Sequence, residues 1–321
     1  MTSTVTPRGP SERAAPSGPA PEHPLAPGKR RFGEDIAMGL LKAAAALSVV
    51  VTVGIFVSLL LPSIQFFREI SPWDFLTGSR WAPTFNNPDF GVLPLITGTL
   101  WTTAIGLLIA VPIGLGAAVF LSEYAHERVR RIFKPILEVL AGIPSVVYGY
   151  FAVFYVTPVL LQGLFGMEIG TFSVMSAGIV LGIMIIPTVA SLSEDSLSAV
   201  PRSLREGSYA LGANTMRTTL RVVFPAAISG ITASIVLALS RAVGETMIVA
   251  LAAGTAARVV TSPTESGQSM TGFIAQTATG ENSPGSLTYN TLFAVGLLLF
   301  VITFIINVIA GIIVRRIREV Y

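Results

Sequence analysis

The sequence predicts an all-α integral membrane protein with six transmembrane helices, and two observations support this fold class. Hydrophobic residues make up 52% of the 321 residues and charged residues only 12%, whereas a typical soluble domain carries about 25% charged residues. The apolar residues are also gathered into long segments. Such a chain has more apolar surface than its own core could bury, so we expect a lipid bilayer around it.

The first 35 residues differ from the rest of the chain in composition. They are rich in Pro, Ser, Ala and Gly and poor in large apolar side chains. The prolines of this segment are Pro7, Pro10, Pro16, Pro19, Pro21, Pro24 and Pro27. Because such a composition cannot supply a hydrophobic core, we predict a disordered cytoplasmic tail over residues 1–35 and a transmembrane domain over residues 36–321.

The apolar segments have the length of membrane spans. A helix needs about 20 apolar residues to cross the ~30 Å hydrocarbon core of a bilayer, because each residue adds about 1.5 Å. Six segments meet this requirement. The predicted spans are residues 41–62, 92–121, 134–160, 171–192, 226–254 and 291–314.

The positions of Lys and Arg predict the orientation of these spans. With the N-terminus in the cytoplasm, all but four of the 21 basic residues fall on the cytoplasmic side. The exceptions are Arg68, Arg80 and Arg258 outside, and Arg241 within a span. Cytoplasmic segments of membrane proteins carry an excess of basic residues, so both termini are predicted to be cytoplasmic.

Two ionisable residues, Arg241 and Glu245, lie inside the fifth predicted span. A charge at the centre of a bilayer costs roughly 2.5–3.5 kcal/mol on insertion scales. On a continuous helix, Ser234, Arg241 and Glu245 would fall within about 40° of one another and form a narrow polar stripe. One interpretation is a structural ion pair between residues four apart, although the favoured order places the acid first. The interpretation that we favour is a role of all three residues in the substrate pathway.

An arginine at this depth suits an anionic substrate. Its guanidinium stays protonated, and its planar donors match the oxygens of phosphate-like anions. A fixed positive charge in a pore favours anions and repels cations. We expect Glu245 to hold the guanidinium and to keep the anion from binding too tightly. Glu138, near the cytoplasmic end of the third predicted span, is either a further pathway residue or an interfacial carboxylate beside Arg131 and Lys134.

The loop between the fourth and fifth predicted spans, residues 193–225, is long enough to suggest a function of its own. Apolar side chains alternate with Arg and Thr in this loop. Pro201 suits the first turn of a helix, and Gly212 suits a helix end. We therefore predict two short amphipathic helices on the cytoplasmic face, separated by Gly212.

This loop resembles the EAA loop of ABC importer permeases. The family pattern is Glu-Ala-Ala, three residues, Gly, nine residues, Ile, one residue and Leu-Pro. The matching positions, with small or apolar substitutes at four of them, are Glu206, Gly207, Ser208, Gly212, Val222, Phe224 and Pro225. The resemblance implies that the segment docks in a groove of a cytoplasmic ATPase, whereas the alternative is a loop that packs only on its own bundle. The implied docking residues are Glu206, Gly207, Ser208, Tyr209, Ala210, Leu211 and Gly212.

Two further segments, residues 140–151 (LAGIPSVVYGYF) and 240–247 (SRAVGETM), are similar to PstC-type permeases of phosphate ABC importers. The resemblance extends from about residue 36 to the C-terminus. It implies the type I ABC importer permease architecture, in a bacterial inner membrane, and import of inorganic phosphate. It also implies three kinds of protein partner: a second permease of the PstA type, a dimeric ATPase of the PstB type and an external phosphate-binding protein of the PstS type.

The residue inventory excludes several other functions. Lys29, Lys42 and Lys134 are the lysines of the chain, and none ends a G-x-x-x-x-G-K-[ST] loop, so ATP and Mg would be bound by the partner ATPase and no cofactor by this chain. With no Cys and two His, a metal site is not expected. We expect neither enzymatic activity nor a nucleic-acid partner. Two alternatives stay open: an ABC permease for another oxyanion, such as sulfate, molybdate or a phosphonate, and an ion-coupled secondary transporter.

Overall fold

The computed structural model describes residues 32–85, 87–280, 283 and 285–317. The chain divides into two units at Gly54. The described part of the first unit is the beginning of helix α1 (Phe32–Glu69), whose side chains from residue 34 to residue 54 are exposed. Because α1 begins at Phe32, the last residues of the predicted tail are helical, and the rest of that tail lies outside the described residues.

The second unit consists of helices and one very small hairpin. Three π-helical segments continue α-helices, and each contains one extra residue per turn. The α-helices after α1 are α2 (Pro72–Thr77), α3 (Leu93–Val119), α4 (Glu127–Ala141), α5 (Ser145–Phe151), α6 (Val174–Ser198), α7 (Arg202–Ala210), α8 (Thr215–Thr218), α9 (Phe224–Val243), α10 (Met247–Ala252), α11 (Met270–Thr279) and α12 (Leu287–Ile317). The π-helical segments are π1 (Phe120–Tyr124), π2 (Ala152–Leu164) and π3 (Thr219–Val223). Strands β1 (Trp81–Ala82) and β2 (Asp89–Phe90) pair antiparallel.

Six helical stretches in the described part of the chain are long and apolar enough to cross a membrane. They are Glu34–Glu69, Leu93–Tyr124, Ser145–Leu164, Val174–Ser198, Thr215–Val243 and Leu287–Arg316. The predicted all-α fold with six transmembrane helices is therefore confirmed, with the hairpin as a small addition. The third and fifth spans differ most from their predicted bounds, since each begins 11 residues away from the predicted start.

The third span begins at Ser145 and not near residue 134. The residues before it form the separate amphipathic helix α4, which ends at Gly142, and Pro144 precedes the first residue of α5. The prediction was wrong here because the apolar residues of α4 and those of the span follow each other with only a short interruption. The apolar residues of α4 repeat with helical spacing and lie on one side of the helix, so they do not constitute a span.

Helix α4 is attached to α6 by charged side chains. The Glu194 carboxylate of α6, whose side chain is 2% exposed, forms ion pairs with Arg130 and Lys134. The Ser198 hydroxyl also donates to Glu194. A hydrogen bond to Asp195 raises the pKa of Lys134 above its ordinary value, and Glu194 strengthens this effect. The polar side of α4 therefore faces α6. The exposed apolar side chains of α4 are Ile132, Phe133, Ile136, Val139 and Leu140.

Aromatic side chains fill the opposite end of the second unit. Phe66 of α1 is fully buried and makes edge-to-face contacts with Phe75 and Phe90. Trp81 of β1 packs in the same way against Phe273 of α11, with ring centroids 4.9 Å apart. These contacts hold the hairpin against the ends of α1 and α11.

Helices α3 and α6 form the most extensive helix pair of the structure, and glycines allow their close approach. A Cβ atom added at Gly182 of α6 would lie 2.8 Å from the carbonyl oxygen of Gly106 on α3. A Cβ atom at Gly114 of α3 would lie 2.7 Å from the Cβ of Val189 on α6. The two backbones are thus closer than ordinary side chains would permit. Helix α9 packs on both members of this pair, whereas α12 packs on α9 and α11.

We expect Gly114→Ala to destabilise the protein by about 1–3 kcal/mol, because the new methyl group overpacks the α3–α6 contact. The measurement is the thermal unfolding midpoint of the detergent-solubilised protein. Gly116→Ala is the matched control on the same helix, since nothing lies within 4 Å of its Cβ position. Equal midpoints for the two variants would contradict this account of the contact.

Candidate functional site

Arg241 lies in the last turn of α9, level with the middle of α6. Its Nη1 donates to the hydroxyl of Thr188 on α6 at 3.0 Å. Thr188 is near the middle of α6, about 15–20 Å from either end of that helix. The Arg241 side chain is exposed on the surface of the chain and is not enclosed in its interior.

The predicted helix over residues 226–254 is not continuous, because it is interrupted at Gly244, three residues after Arg241. Helix α9 ends at Val243, Gly244 is its C-cap, and α10 begins only at Met247. The Glu245 carboxylate accepts hydrogen bonds from the backbone N–H groups of Met247 and Ile248, at 3.1 and 3.4 Å. Glu245 therefore caps the N-terminus of α10 and stabilises the interruption.

The two charges are stabilised by helix ends and not by each other. In the described part of the chain, Arg241 and Glu245 form no ion pair with each other. Arg241 is at the C-terminus of a helix, where the partial charge is negative, and Glu245 is at an N-terminus, where it is positive. The structural ion pair considered from the sequence is absent, because the helix that would align the two side chains ends between them.

Ser234, the third member of the predicted stripe, lies in a buried contact between helices. Its side chain is buried, its hydroxyl is 2.7 Å from that of Ser193 on α6, and it donates to the Ile231 carbonyl. Ser234 and Arg241 therefore both contact α6, as residues on one face should. The placement of Ser234 favours a role in packing over a role in the pathway.

Glu138 lies outside the membrane-spanning segments. It is an exposed residue of α4, one turn beyond Lys134, and the third span begins only after it. The expected position at the end of the third span was wrong, because α4 is a separate helix. An exposed carboxylate on the polar side of α4 fits the interfacial interpretation better than a place in the pathway.

Several polar residues around Arg241 were not predicted. Tyr148 of α5 lies near Arg241. Ser240, the neighbour of Arg241, donates to the side chain of Asn307 on α12 at 2.8 Å. A signal for Asn307 existed in the sequence, since an amide in an apolar span usually faces another helix. Thr188 gave no comparable signal, because single threonines are common in spans.

The predicted docking segment forms helix α7 and the turn after it. Of its seven residues, Ser208 is half-buried and the other six are exposed. Nothing lies within 4 Å of a Cβ position at Gly207, so this side of α7 is open to a partner. Gly212 has φ of +80°, a left-handed conformation that glycine adopts without strain and that ends the helix. The second short helix of the prediction, α8, is the beginning of the fifth span.

Comparison with known proteins places these features in context. Residues 110–319 match the family described as binding-protein-dependent transport system inner membrane component. The phosphate transport system permease protein PstC of Mesorhizobium japonicum is 37% identical over 90% of this chain and 92% of its own length. The probable ABC transporter permease protein YqgH of Bacillus subtilis is 36% identical over 83% of this chain and 86% of its own.

A solved structure shows the same fold. The bacterial alginate ABC transporter in complex with alginate pentasaccharide-bound periplasmic protein contains a chain that aligns with a TM-score of 0.60 at 16% identity. The alignment covers 89% of this chain and 98% of that chain. Together with the six membrane-spanning stretches, this likeness supports the type I ABC importer permease architecture, in a multi-pass inner membrane protein.

We expect Glu245→Ala to destabilise the protein by about 1 kcal/mol, the usual cost of losing an N-cap. Glu245→Gln should cost less, because its amide oxygen can still accept from Met247 and Ile248. Unfolding midpoints of the two purified variants test this order. If both variants lowered the unfolding midpoint equally, the charge of Glu245 and not its hydrogen bonds to α10 would stabilise the protein.

Proposed function

We propose that this chain, which belongs to the family of binding-protein-dependent transport system inner membrane components and within it to the PstC-type permeases, is the membrane-spanning subunit of an ATP-driven importer of inorganic phosphate. The observation that carries the proposal is the exposed guanidinium of Arg241, level with the middle of α6. We place α7 and both termini on the cytoplasmic side of the membrane, in accordance with the distribution of Lys and Arg.

The exposure of Arg241 supports a second permease subunit. An arginine facing lipid at mid-bilayer would cost roughly 2.5–3.5 kcal/mol on insertion scales. The surface that presents Arg241 must therefore face protein or water in the assembled transporter. A related permease packed against this surface would leave an aqueous path between the two chains, lined by Arg241. We assign this role to a PstA-type subunit.

The surroundings of Arg241 support an oxyanion as the substrate. Glu245 directs its carboxylate to the N-terminus of α10 and does not neutralise the guanidinium. Thr188 occupies one N–H group of Arg241 and fixes the side chain. The remaining N–H groups form the planar fork that binds phosphate oxygens in pairs. Thr188 thus takes the positioning role that the sequence analysis gave to Glu245.

The other partners follow from the ATP-driven mechanism. The names of the relatives describe permeases of phosphate transport systems, which supports phosphate as the ion carried here. We assign ATP and Mg to a dimeric PstB-type ATPase that docks on the exposed residues of α7. We assign delivery of phosphate to a PstS-type binding protein on the opposite side of the membrane.

The function is tested by reconstitution of the chain in liposomes with the PstA-, PstB- and PstS-type proteins of the same bacterium. ATP-dependent uptake of radiolabelled phosphate is expected, and sulfate or molybdate in excess should not compete. Competition by either ion would identify another oxyanion as the substrate. Uptake by this chain alone, without the ATPase, would identify a secondary transporter.

We expect Arg241→Gln to reduce phosphate uptake by about 100-fold or more, because a charge-assisted pair of hydrogen bonds to a desolvated anion is lost. Assembly of the complex and its basal ATP hydrolysis should be unchanged. Arg68→Gln, at the exposed end of α1, is the control and should transport normally. Normal uptake by Arg241→Gln would remove Arg241 from the pathway.

We expect Gly207→Leu to prevent binding of the ATPase while leaving the fold intact. The position is open, since nothing lies within 4 Å of a Cβ atom there, and Leu favours a helix over Gly by about 0.5–1 kcal/mol. Co-purification of the ATPase with the tagged permease is the measurement. Gly116→Leu, at an equally open position of α3, should retain the ATPase. Retention by both variants would contradict docking at α7.

A further inference from the structure

A buried ion pair attaches α7 to the end of the second span. Nη2 and Nε of Arg205 on α7 donate to the two carboxylate oxygens of Glu123 in π1, at 2.8 and 3.3 Å. The side chains of Arg205 and Glu123 are only 17% and 3% exposed. The two residues lie 82 positions apart in the chain. The pair therefore joins two elements that are distant from each other in the sequence.

Arg205 also binds the end of the fourth span. Its Nη1 donates to the carbonyl of Val200 at 2.7 Å and its Nη2 to the carbonyl of Leu197 at 2.8 Å. Leu197 lies in the last turn of α6 and Val200 two residues beyond its end. One guanidinium thus connects α7 with both α3–π1 and α6.

A second attachment joins α7 to the fifth span. The hydroxyl of Ser208 is 2.9 Å from that of Thr218, which is buried at the end of α8. Leu204 of α7 packs against a cluster that includes Val200 and Val223. The face of α7 opposite its open side is therefore fixed to three spans.

The Glu123–Arg205 pair is not explained by stability alone. Removing two charges from water costs several kcal/mol, and an apolar pair of similar volume is often as stable. What an apolar contact does not provide is a bidentate geometry with fixed orientation. A rigid connection at this point would make α7 and π1 move together.

We propose that the Glu123–Arg205 ion pair transmits movement of α7 to the second and fourth spans. Glu123 and Arg205 are then positioning residues that couple ATP hydrolysis to transport. This inference rests on the proposed function, in which the ATPase docks on α7. When the ATPase moves α7, the pair carries the ends of α3–π1 and α6 with it. Without the pair, α7 would move against the spans, and ATP would be hydrolysed without transport.

The Glu194 cluster provides a matched control for the effect of a buried charge. Glu194 is as buried as Glu123 and is likewise bound by basic side chains. Its partners Arg130 and Lys134 lie on α4, so the cluster makes no ion pair with α7 in the described part of the chain. Loss of its charge should lower stability without affecting coupling.

The first test measures phosphate uptake per ATP hydrolysed in the reconstituted four-protein complex. Glu123→Gln and Arg205→Met should each lower this ratio at least about fivefold, the lower end of typical coupling strengths. The double variant should be no worse than the worse single variant, since both remove the same interaction. Glu194→Gln should lower the unfolding midpoint and leave the ratio unchanged. A ratio unaffected by Glu123→Gln would overturn the inference.

The second test measures the movement directly and uses the absence of Cys from the chain. Spin labels on Ser203→Cys in α7 and Phe120→Cys in π1, both exposed positions, report the distance between these elements. The distance should be equal in the ATP-free and ATP-bound complexes, and Glu123→Gln should make it change or broaden. A change of several ångströms in the otherwise unsubstituted complex would overturn the inference. Absence of ATP-dependent uptake in that complex would instead overturn the proposed function.

Discussion

The interruption of the fifth span at Gly244 is the feature on which the candidate site depends. A continuous helix would place Arg241 and Glu245 one turn apart, where their charges would largely cancel. The break directs the Glu245 carboxylate to the backbone of α10 and leaves the guanidinium of Arg241 with Thr188. One backbone group at the break has a side-chain partner, since Thr271 donates to the Glu245 carbonyl at 2.7 Å. Irregular backbone inside a membrane requires such partners.

Helix α6 contacts α3, α9, α4 and Arg205 of α7 at successive points along its length. Its first half packs closely against α3 through Gly178 and Gly182. Its middle holds Arg241 through Thr188 and, one turn and a half later, contacts α9 through Ser193. Its end presents Glu194 to α4 and the carbonyls of Leu197 and Val200 to Arg205. Because Thr188 and Leu197 lie on one continuous helix, a displacement at the end of α6 also reaches the residue that positions Arg241.

Local patterns in the sequence sufficed for the parts of the fold that depend on local physics. Hydropathy located the six spans, and Pro201 and Gly212 located α7, because solvation and backbone conformation act on neighbouring residues. The same patterns could not reveal that α4 is separate or that the helix ends at Gly244. The hydrogen bonds of Glu245 to the N-terminus of α10 depend on the direction of its side chain, and the Glu123–Arg205 ion pair depends on how distant segments pack. Neither contact can be inferred from the composition of a short segment of sequence.

Helix α7 and the long helix that carries Arg241 follow each other directly in the chain. From Thr215 to Val243 the helix is continuous over 29 residues, a length of about 43 Å. Helix α7 precedes it directly, with the left-handed Gly212 as the turn and the Ser208–Thr218 contact as a brace. Movement of α7 can therefore reach Arg241 by two routes: along this helix, and through Arg205 to α6 and Thr188. Arg241 lies where α9 contacts α6, so its position depends on whether α9 and α6 are displaced by the same amount. A difference between them would change the distance from Arg241 to Thr188, and with it the orientation in which the guanidinium meets an anion.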